Sequence, residues 1–313
     1  MFFRRLGNGC LDAKETAVTG SVIVILNPRA GPMTVREQEQ QIVTLFESPR
    51  GPCARVLVAH TGHDIIRFAR QAVAEHAEVV VAAGGDGTVS TVASVLAGTQ
   101  ITLGVLPAGT LNHFAKDLHI PLDLNGALQT IRKGRIVEID VSEVNGRVFI
   151  NNSSLGLYPI IVREREYRQR MGHGKWPAFA WAALLAFRRY PFLSLRLEVD
   201  GTELLRSTPF VFVGNNIYHI EGLDIGSRSS LTGGQMCVYV LRRTGRLGLL
   251  LLSFSALVGR LHNARNFDSL CAREVWIETR RRRVAVATDG EVHLMRSPLH
   301  YRVRPRDLRV LVP

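Results

Sequence analysis

Residues Val79 to Leu96, VVVAAGGDGTVSTVASVL, constrain this chain more than any other stretch. Val79, Val80 and Val81 form a short, wholly apolar run, which suits a parallel strand covered on both faces. Val89, Val92, Ala93 and Leu96 fall at i, i+3, i+4 and i+7, one apolar face of a helix. Between the two, Gly84, Gly85 and Gly87 let the backbone turn tightly and approach an anion, and the helix that follows presents unpaired N–H groups and the positive end of its dipole. The stretch reads as strand, phosphate-holding turn, helix. Asp86 is the residue out of place. A carboxylate beside a polyphosphate repels it unless a divalent cation stands between them, so Asp86 is expected to face Mg²⁺, directly or through water. The same letters also fit a plain strand-to-helix turn with an acid near the helix start.

The pattern repeats on both sides. Ser21 to Leu26 reads as a first strand ending in the turn Asn27-Pro28-Arg29-Ala30-Gly31, ahead of a polar helix around Val35 to Phe46. Arg55 to Ala59 reads as a strand, His63 to His76 as a helix with Ile65, Phe68, Ala69 and Ala72 on one face, and Ile101 to Leu106 as a further strand. A helix from Leu124 to Ile131 closes on Gly134. Strands alternating with helices predict an open parallel sheet with helices on both faces and a ligand site at the carboxyl ends of the strands. Three polar loops are available there: Asn27 to Gly31, Gly84 to Thr88 and Pro107 to Asn112.

From Arg135 the period changes to strand alternation, and Asn145-Gly146 is a strong hairpin signal. A helical pair over about 158–170 and 176–189, hairpin strands around Asp200-Gly201, strands at 210–214 and 236–241, a helix over 247–261 and a strand-rich tail from Val275 complete the chain. The expected organisation is α/β followed by β-rich: a tail over 1–19, a nucleotide-binding α/β domain over 20–138 plus 299–313, and a β-sandwich substrate domain over 139–298.

At 313 residues the chain is long enough for two domains with proper cores. The net charge of +12 favours anionic partners. Cys10, Cys53, Cys237 and Cys271 show no metal spacing and fit reduced thiols in a cytosolic protein. The first residues lack a signal-peptide core, and the longest apolar run, Leu247 to Val258, falls short of the roughly 20 residues of a spanning helix. The expectation is a cytoplasmic protein, peripheral to the inner membrane face.

GGDGTV at Gly84 to Val89, LNPRAG at Leu26 to Gly31 and LPAGTLNHFAKDL at Leu106 to Leu118 together resemble the diacylglycerol-kinase catalytic-domain family of lipid kinases. The resemblance spans most of residues 21–313, since the Asn152-to-Gly156 turn and Asp289-Gly290-Glu291 also fall where that family places them. It implies ATP-dependent, Mg²⁺-assisted phosphorylation of a lipid hydroxyl, with diacylglycerol first among substrates, in a cleft between the two domains. The family's nucleotide site maps onto Asn27, Pro28, Arg29, Ala30, Gly31, Thr61, Gly84, Gly85, Asp86, Gly87, Thr88, Gly109 and Thr110, with Asn112 close by. Glu291 takes the family position of the acid that accepts the substrate's proton, and Asp289 orients it or approaches the metal. The partner implied is a lipid at an anionic membrane surface rather than nucleic acid; the oligomeric state is left open, a homodimer included.

The chain departs from the family at Ser90 and Thr91 after GGDGT, at His113, and in the loop GSRSSLTGGQ, which in many bacterial relatives supplies acids to a structural Mg²⁺ and where Gly233 and Gly234 stand in place of an Asp-Gly pair. That second metal site is expected to be missing. Asp289-Gly290 alone is also a plain hairpin signal. Arg280 to Arg283 fits either a phosphate contact or a solvated turn, His60 and His63 are expected to be loop histidines, and WPAFAWAALLAFRRY (176–190) fits a buried helix or an acyl-chain wall. The rival readings are an NAD kinase, which shares GGDGT, and an inactive lipid- or nucleotide-binding regulator.

Overall fold

The structure is a computed structural model that describes residues 14–15, 21–28, 54–157, 159, 192–199, 201–218, 228, 230–241 and 267–313. The first lobe runs β1 (Lys14–Glu15), β2 (Val22–Leu26), β3 (Ala54–Val58), α1 (Gly62–Ala74), β4 (Val79–Gly84), α2 (Asp86–Leu96), β5 (Thr102–Pro107), α3 (His113–Asp117) and α4 (Leu124–Lys133). Strands β3, β2, β4 and β5 pair in parallel in that order. Val79, Val80 and Val81 are fully buried because helices cover the sheet, and α2 turns Val89, Val92, Ala93 and Leu96 inward as its spacing requires. In α1, Thr61 accepts a hydrogen bond from the Asp64 N–H, and Asp64 reaches back to the Thr61 N–H; Ile65, Ala69 and Ala72 face the core.

The second lobe runs β6 (Arg135–Val144), β7 (Arg147–Phe149), β8 (Asn152–Gly156), β9 (Leu193–Val199), β10 (Thr202–Thr208), β11 (Phe210–Asn215), β12 (Met236–Leu241), β13 (Phe267–Ala272), β14 (Glu274–Thr279), β15 (Arg283–Thr288), β16 (Glu291–Arg296) and β17 (Leu299–Val312). Six of these strands form an antiparallel layer in the order β13-β12-β11-β8-β15-β16. It packs on the antiparallel part of the larger, eleven-stranded sheet through Leu155, Val213, Leu197, Ile277 and Tyr301. The result is a parallel α/β lobe followed by a β-sandwich.

Strand β17 joins the two. One edge pairs with β6 along nearly its whole length, while the other pairs first with β14, antiparallel, and then with β5, in parallel. A register shift between Arg304 and Leu308 separates the two halves. Residues 138–139 lie inside β6, so backbone pairing runs continuously from one lobe to the other.

Two expectations change. Residues Asn152–Gly156 form a strand rather than a turn, because they supply the central β8 between β11 and β15; the turn lies just before them. Cys237 and Cys271 are not free thiols: they stand opposite each other on β12 and β13 and form a disulfide, a proximity invisible at a sequence separation of 34. The expected helices over 35–46, 176–189 and 247–261, and nearly all of that over 158–170, lie outside the described residues. Among the described residues no helix is long and apolar enough to cross a membrane.

Candidate active site

The three loops predicted at the carboxyl edge of the parallel sheet come together there. The Asn27 side-chain amide donates to the Thr88 hydroxyl at 2.9 Å, tying the first loop to the second. The second and third loops touch backbone to backbone: a Cβ on Gly109 would stand 2.6 Å from the Gly85 Cα, so only glycine lets these turns approach. The Ala108 N–H donates to the Gly84 carbonyl at 2.9 Å, continuing the β4–β5 register into the turn. Asn112, in the left-handed region at φ 50°, accepts from the Gly109 N–H and returns a bond to the Gly109 carbonyl. Its part is to shape the Pro107–Thr110 turn. Pro28 adjoins Asn27, Thr110 is exposed beside Gly109, and Thr61 caps α1; Arg29, Ala30 and Gly31 lie outside the described residues.

Asp86 opens α2 and accepts from the Phe114 N–H through Oδ1 at 3.3 Å. Its second oxygen has no hydrogen-bond partner among the described residues. Among those residues no cluster of three acids, histidines or cysteines could cage a metal by itself. A lone half-buried carboxylate at a phosphate turn does fit a cation carried in by a nucleotide, which takes one or two protein carboxylates and its remaining ligands from phosphate and water.

Beside these loops opens a cleft of 990 Å³ between α1 and α2 on one wall and the β6–β7 and β15–β16 hairpins on the other. Gly87 of the glycine turn and Glu291 of the second lobe both line it. Glu291 is 59% exposed at its side chain; Oε2 meets Arg147 at 3.3 Å and His293 at 3.4 Å. His293 first, and more weakly the charge of Arg147, hold its carboxyl below the usual glutamate range, against an effect of burial that is second to that of His293. Glu291 is thus an ionised carboxylate facing open space.

Asp289 behaves differently. It is a hairpin-turn residue, with φ 46° followed by Gly290 at φ 88°, and its carboxylate is also taken up by the protein. The N–H groups of Ile150, Asn151 and Asn152 donate to it at 2.9, 2.8 and 3.0 Å, and the Ser90 hydroxyl closes on Oδ2. Burial pushes its carboxyl up, and the four hydrogen bonds oppose that rise. With both oxygens taken up by four hydrogen bonds, three from its own lobe and one from Ser90 across the cleft, Asp289 is not placed to accept a substrate proton.

Sequence reasoning missed a second contact between the lobes, at Arg228. The Arg228 guanidinium is fully buried, pairs with Asp117 at 2.7 Å, and donates to the Ile150 carbonyl at 2.6 Å and Asn151 Oδ1 at 2.9 Å. It also lies over the Tyr218 ring at 5.5 Å. These oxygens are of the hard kind a structural cation would use, and here the guanidinium occupies them. Nearby, Gly234 donates to Asp140 and Gly233 to Asn216, so the glycine pair that stands where Asp-Gly was expected acts through its N–H groups. Arg280 to Arg282 form an exposed turn that leads into Arg283, at the end of the β15–β16 hairpin opposite Asp289, about 20 Å along a six-residue strand. His63 lies in the first turn of α1 rather than in a loop, lining the cleft, while His60 is exposed ahead of it.

Comparison with known proteins agrees with this arrangement. Residues 21–144 match the diacylglycerol kinase catalytic domain, and residues 161–312 match the YegS C-terminal NAD kinase beta sandwich-like domain. The chain is 32% identical over 227 residues to a protein of Pectobacterium atrosepticum named "Probable lipid kinase YegS-like", covering 69% of this chain and 71% of that one. It is 29% identical over 196 residues to a diacylglycerol kinase of Staphylococcus aureus, covering 61% of each. A crystal structure of a diacylglycerol kinase from Bacillus anthracis superposes with a TM-score of 0.67 at 20% identity, covering 94% of this chain and 97% of that one, a likeness of fold.

Proposed function

Because this chain belongs to the diacylglycerol-kinase catalytic-domain family of lipid kinases, we propose that it transfers the γ-phosphoryl group of ATP to a lipid hydroxyl, diacylglycerol first among acceptors. The observation that carries this reading is an ionised, solvent-facing Glu291 on the same cleft as Gly87 of the phosphate turn. The nucleotide phosphates lie against the Gly84–Thr88 and Pro107–Asn112 turns, with the α2 N-terminus toward them. Asp86 would hold Mg²⁺, which supplies neutralisation of the β- and γ-phosphate charge when bound. The acceptor oxygen attacks the γ-phosphorus, its proton passes to Glu291, and the bond to the β-phosphate oxygen breaks to release ADP. Arg147 and His293 orient Glu291 through Oε2 and leave Oε1 for the acceptor.

A lipid acceptor brings the protein to a membrane surface, and +12 of net charge favours an anionic one. The Arg280–Arg283 turn lies at the far end of its hairpin from the cleft. The deciding experiment incubates purified protein with γ-labelled ATP, Mg²⁺, and diacylglycerol, phosphatidylglycerol, a sphingoid base, a long-chain alcohol or NAD. Label in a lipid is the expected result. Label in NAD alone would make this an NAD kinase, and nucleotide binding without transfer to any acceptor would make it an inactive regulator.

A further inference from the structure

Asp289 and Arg228 act on one peptide group from opposite ends, and Asp289 and Tyr218 act in the same way on the next. The Ile150–Asn151 peptide receives Arg228 and the Asn215 amide on its carbonyl, at 2.6 and 3.0 Å, and gives its N–H to Asp289 at 2.8 Å. The Asn151–Asn152 peptide receives the Tyr218 hydroxyl on its carbonyl at 2.9 Å and gives its N–H to Asp289 at 3.0 Å. Cation and phenol on the carbonyl side, with an anion on the N–H side, polarise each peptide along its own dipole, so the bonds reinforce one another. Burial pushes the Tyr218 phenol up to about 12, which keeps it a donor.

Both outer ends of this chain of bonds return to the first lobe. Asp289 ends on Ser90 of α2, and Arg228 ends on Asp117 of α3. Helix α2 grows from the Gly84–Thr88 turn and α3 from the Pro107–Asn112 turn. We propose that Ser90 and Arg228 are positioning residues for the phosphoryl-transfer step, clamping the Ile150–Asn152 turn between the two helices that spring from the nucleotide loops and thereby fixing where Glu291 stands. Glu291 follows Asp289 by two residues through a turn of defined backbone angles, so a shift of that turn carries the backbone of Glu291 with it. This inference rests on the reading of Glu291 as the proton acceptor.

Ser90 is the point to test, since a hydroxyl can be removed there with little change in packing. Ser90→Ala should lower kcat about tenfold or more, the weight of one hydrogen bond to a charged group, while KM for ATP stays within about twofold. Ser90→Thr, which keeps the hydroxyl, should recover most of the loss. Ser90→Ala combined with Asp289→Ala should be no worse than Asp289→Ala alone, because with no polar side chain at 289 the bond to Ser90 is already gone. Amide exchange at Ile150, Asn151, Asn152 and Glu291 should quicken in Ser90→Ala while β2 and β4 keep wild-type protection. Wild-type kcat and wild-type protection in Ser90→Ala, or losses that multiply in the double variant, would overturn the clamp. Should the wild type phosphorylate no lipid, the kinase reading fails, and the exchange measurement still decides whether the clamp exists.

Discussion

Replacing Arg228 by methionine strands a buried carboxylate. The guanidinium is 0% exposed and Asp117 is 7% exposed, so Arg228→Met leaves Asp117 without a countercharge and with little access to water. Breaking a buried ion pair from one side costs about 3–5 kcal/mol. The Ile150 carbonyl still receives Asn215, which limits the further loss, but Asn151 Oδ1 gives up its bond to the guanidinium. At roughly 2–4 °C per kcal/mol for a chain of this order, the melting temperature should fall by roughly 6–20 °C. The assay is a thermal melt of Arg228→Met beside Arg228→Met/Asp117→Leu, since replacing both partners with apolar groups is often close to neutral. The double variant should recover more than half of the loss. A fall under about 2 °C in the single variant, or a double variant no better than the single, would refute the account of a desolvated pair bracing the lobes.

Gly109→Ala places a methyl 2.6 Å from the Gly85 Cα and 2.8 Å from Asn112 Oδ1, so the two turns must part; ATP affinity should drop more than about tenfold by calorimetric titration, for a stability cost of about 1–3 kcal/mol. The acid limb of kcat/KM should lie below the usual glutamate value of 4.5, since a lowered carboxyl is already ionised and able to accept a proton there; His293→Ala or Arg147→Ala should move that limb upward in a pH–rate profile. With Arg228 occupying the oxygens beside Asp117, chelating divalent cations without nucleotide should leave the melting temperature within about 1 °C, whereas a native-state metal would add its binding free energy to folding.

Local pattern was enough for much of this architecture. The apolar run at Val79–Val81 and the spacing of α2 determine a buried strand and the helix face that covers it, and Asn145-Gly146 and Asp289-Gly290 adopt the positive φ angles of hairpin turns. The meeting of the three loops follows from parallel pairing, which brings their carboxyl ends to one edge. What stayed hidden depends on pairing over long distances. Asp289 reads as a turn by its neighbours, and its second role requires N–H groups 137–139 residues away. Arg228 is a single arginine in a serine-rich loop and looks like surface, because its partners Asp117, Ile150 and Asn151 come from two other stretches. Ser90 was visible only as a departure at the position after GGDGTV, and Cys237 meets Cys271 only once β12 and β13 are in register.

The most direct test of the central claim is single-turnover phosphate transfer by Glu291→Gln. The amide keeps the size and the contact with Arg147 but cannot accept the acceptor's proton, and general-base catalysis contributes typically about 10²–10⁴-fold. Transfer from γ-labelled ATP to the lipid should fall by about that factor while ATP affinity is unchanged, because the first lobe's loops hold the phosphates. Near-wild-type transfer by Glu291→Gln, or loss of ATP binding together with transfer, would contradict it.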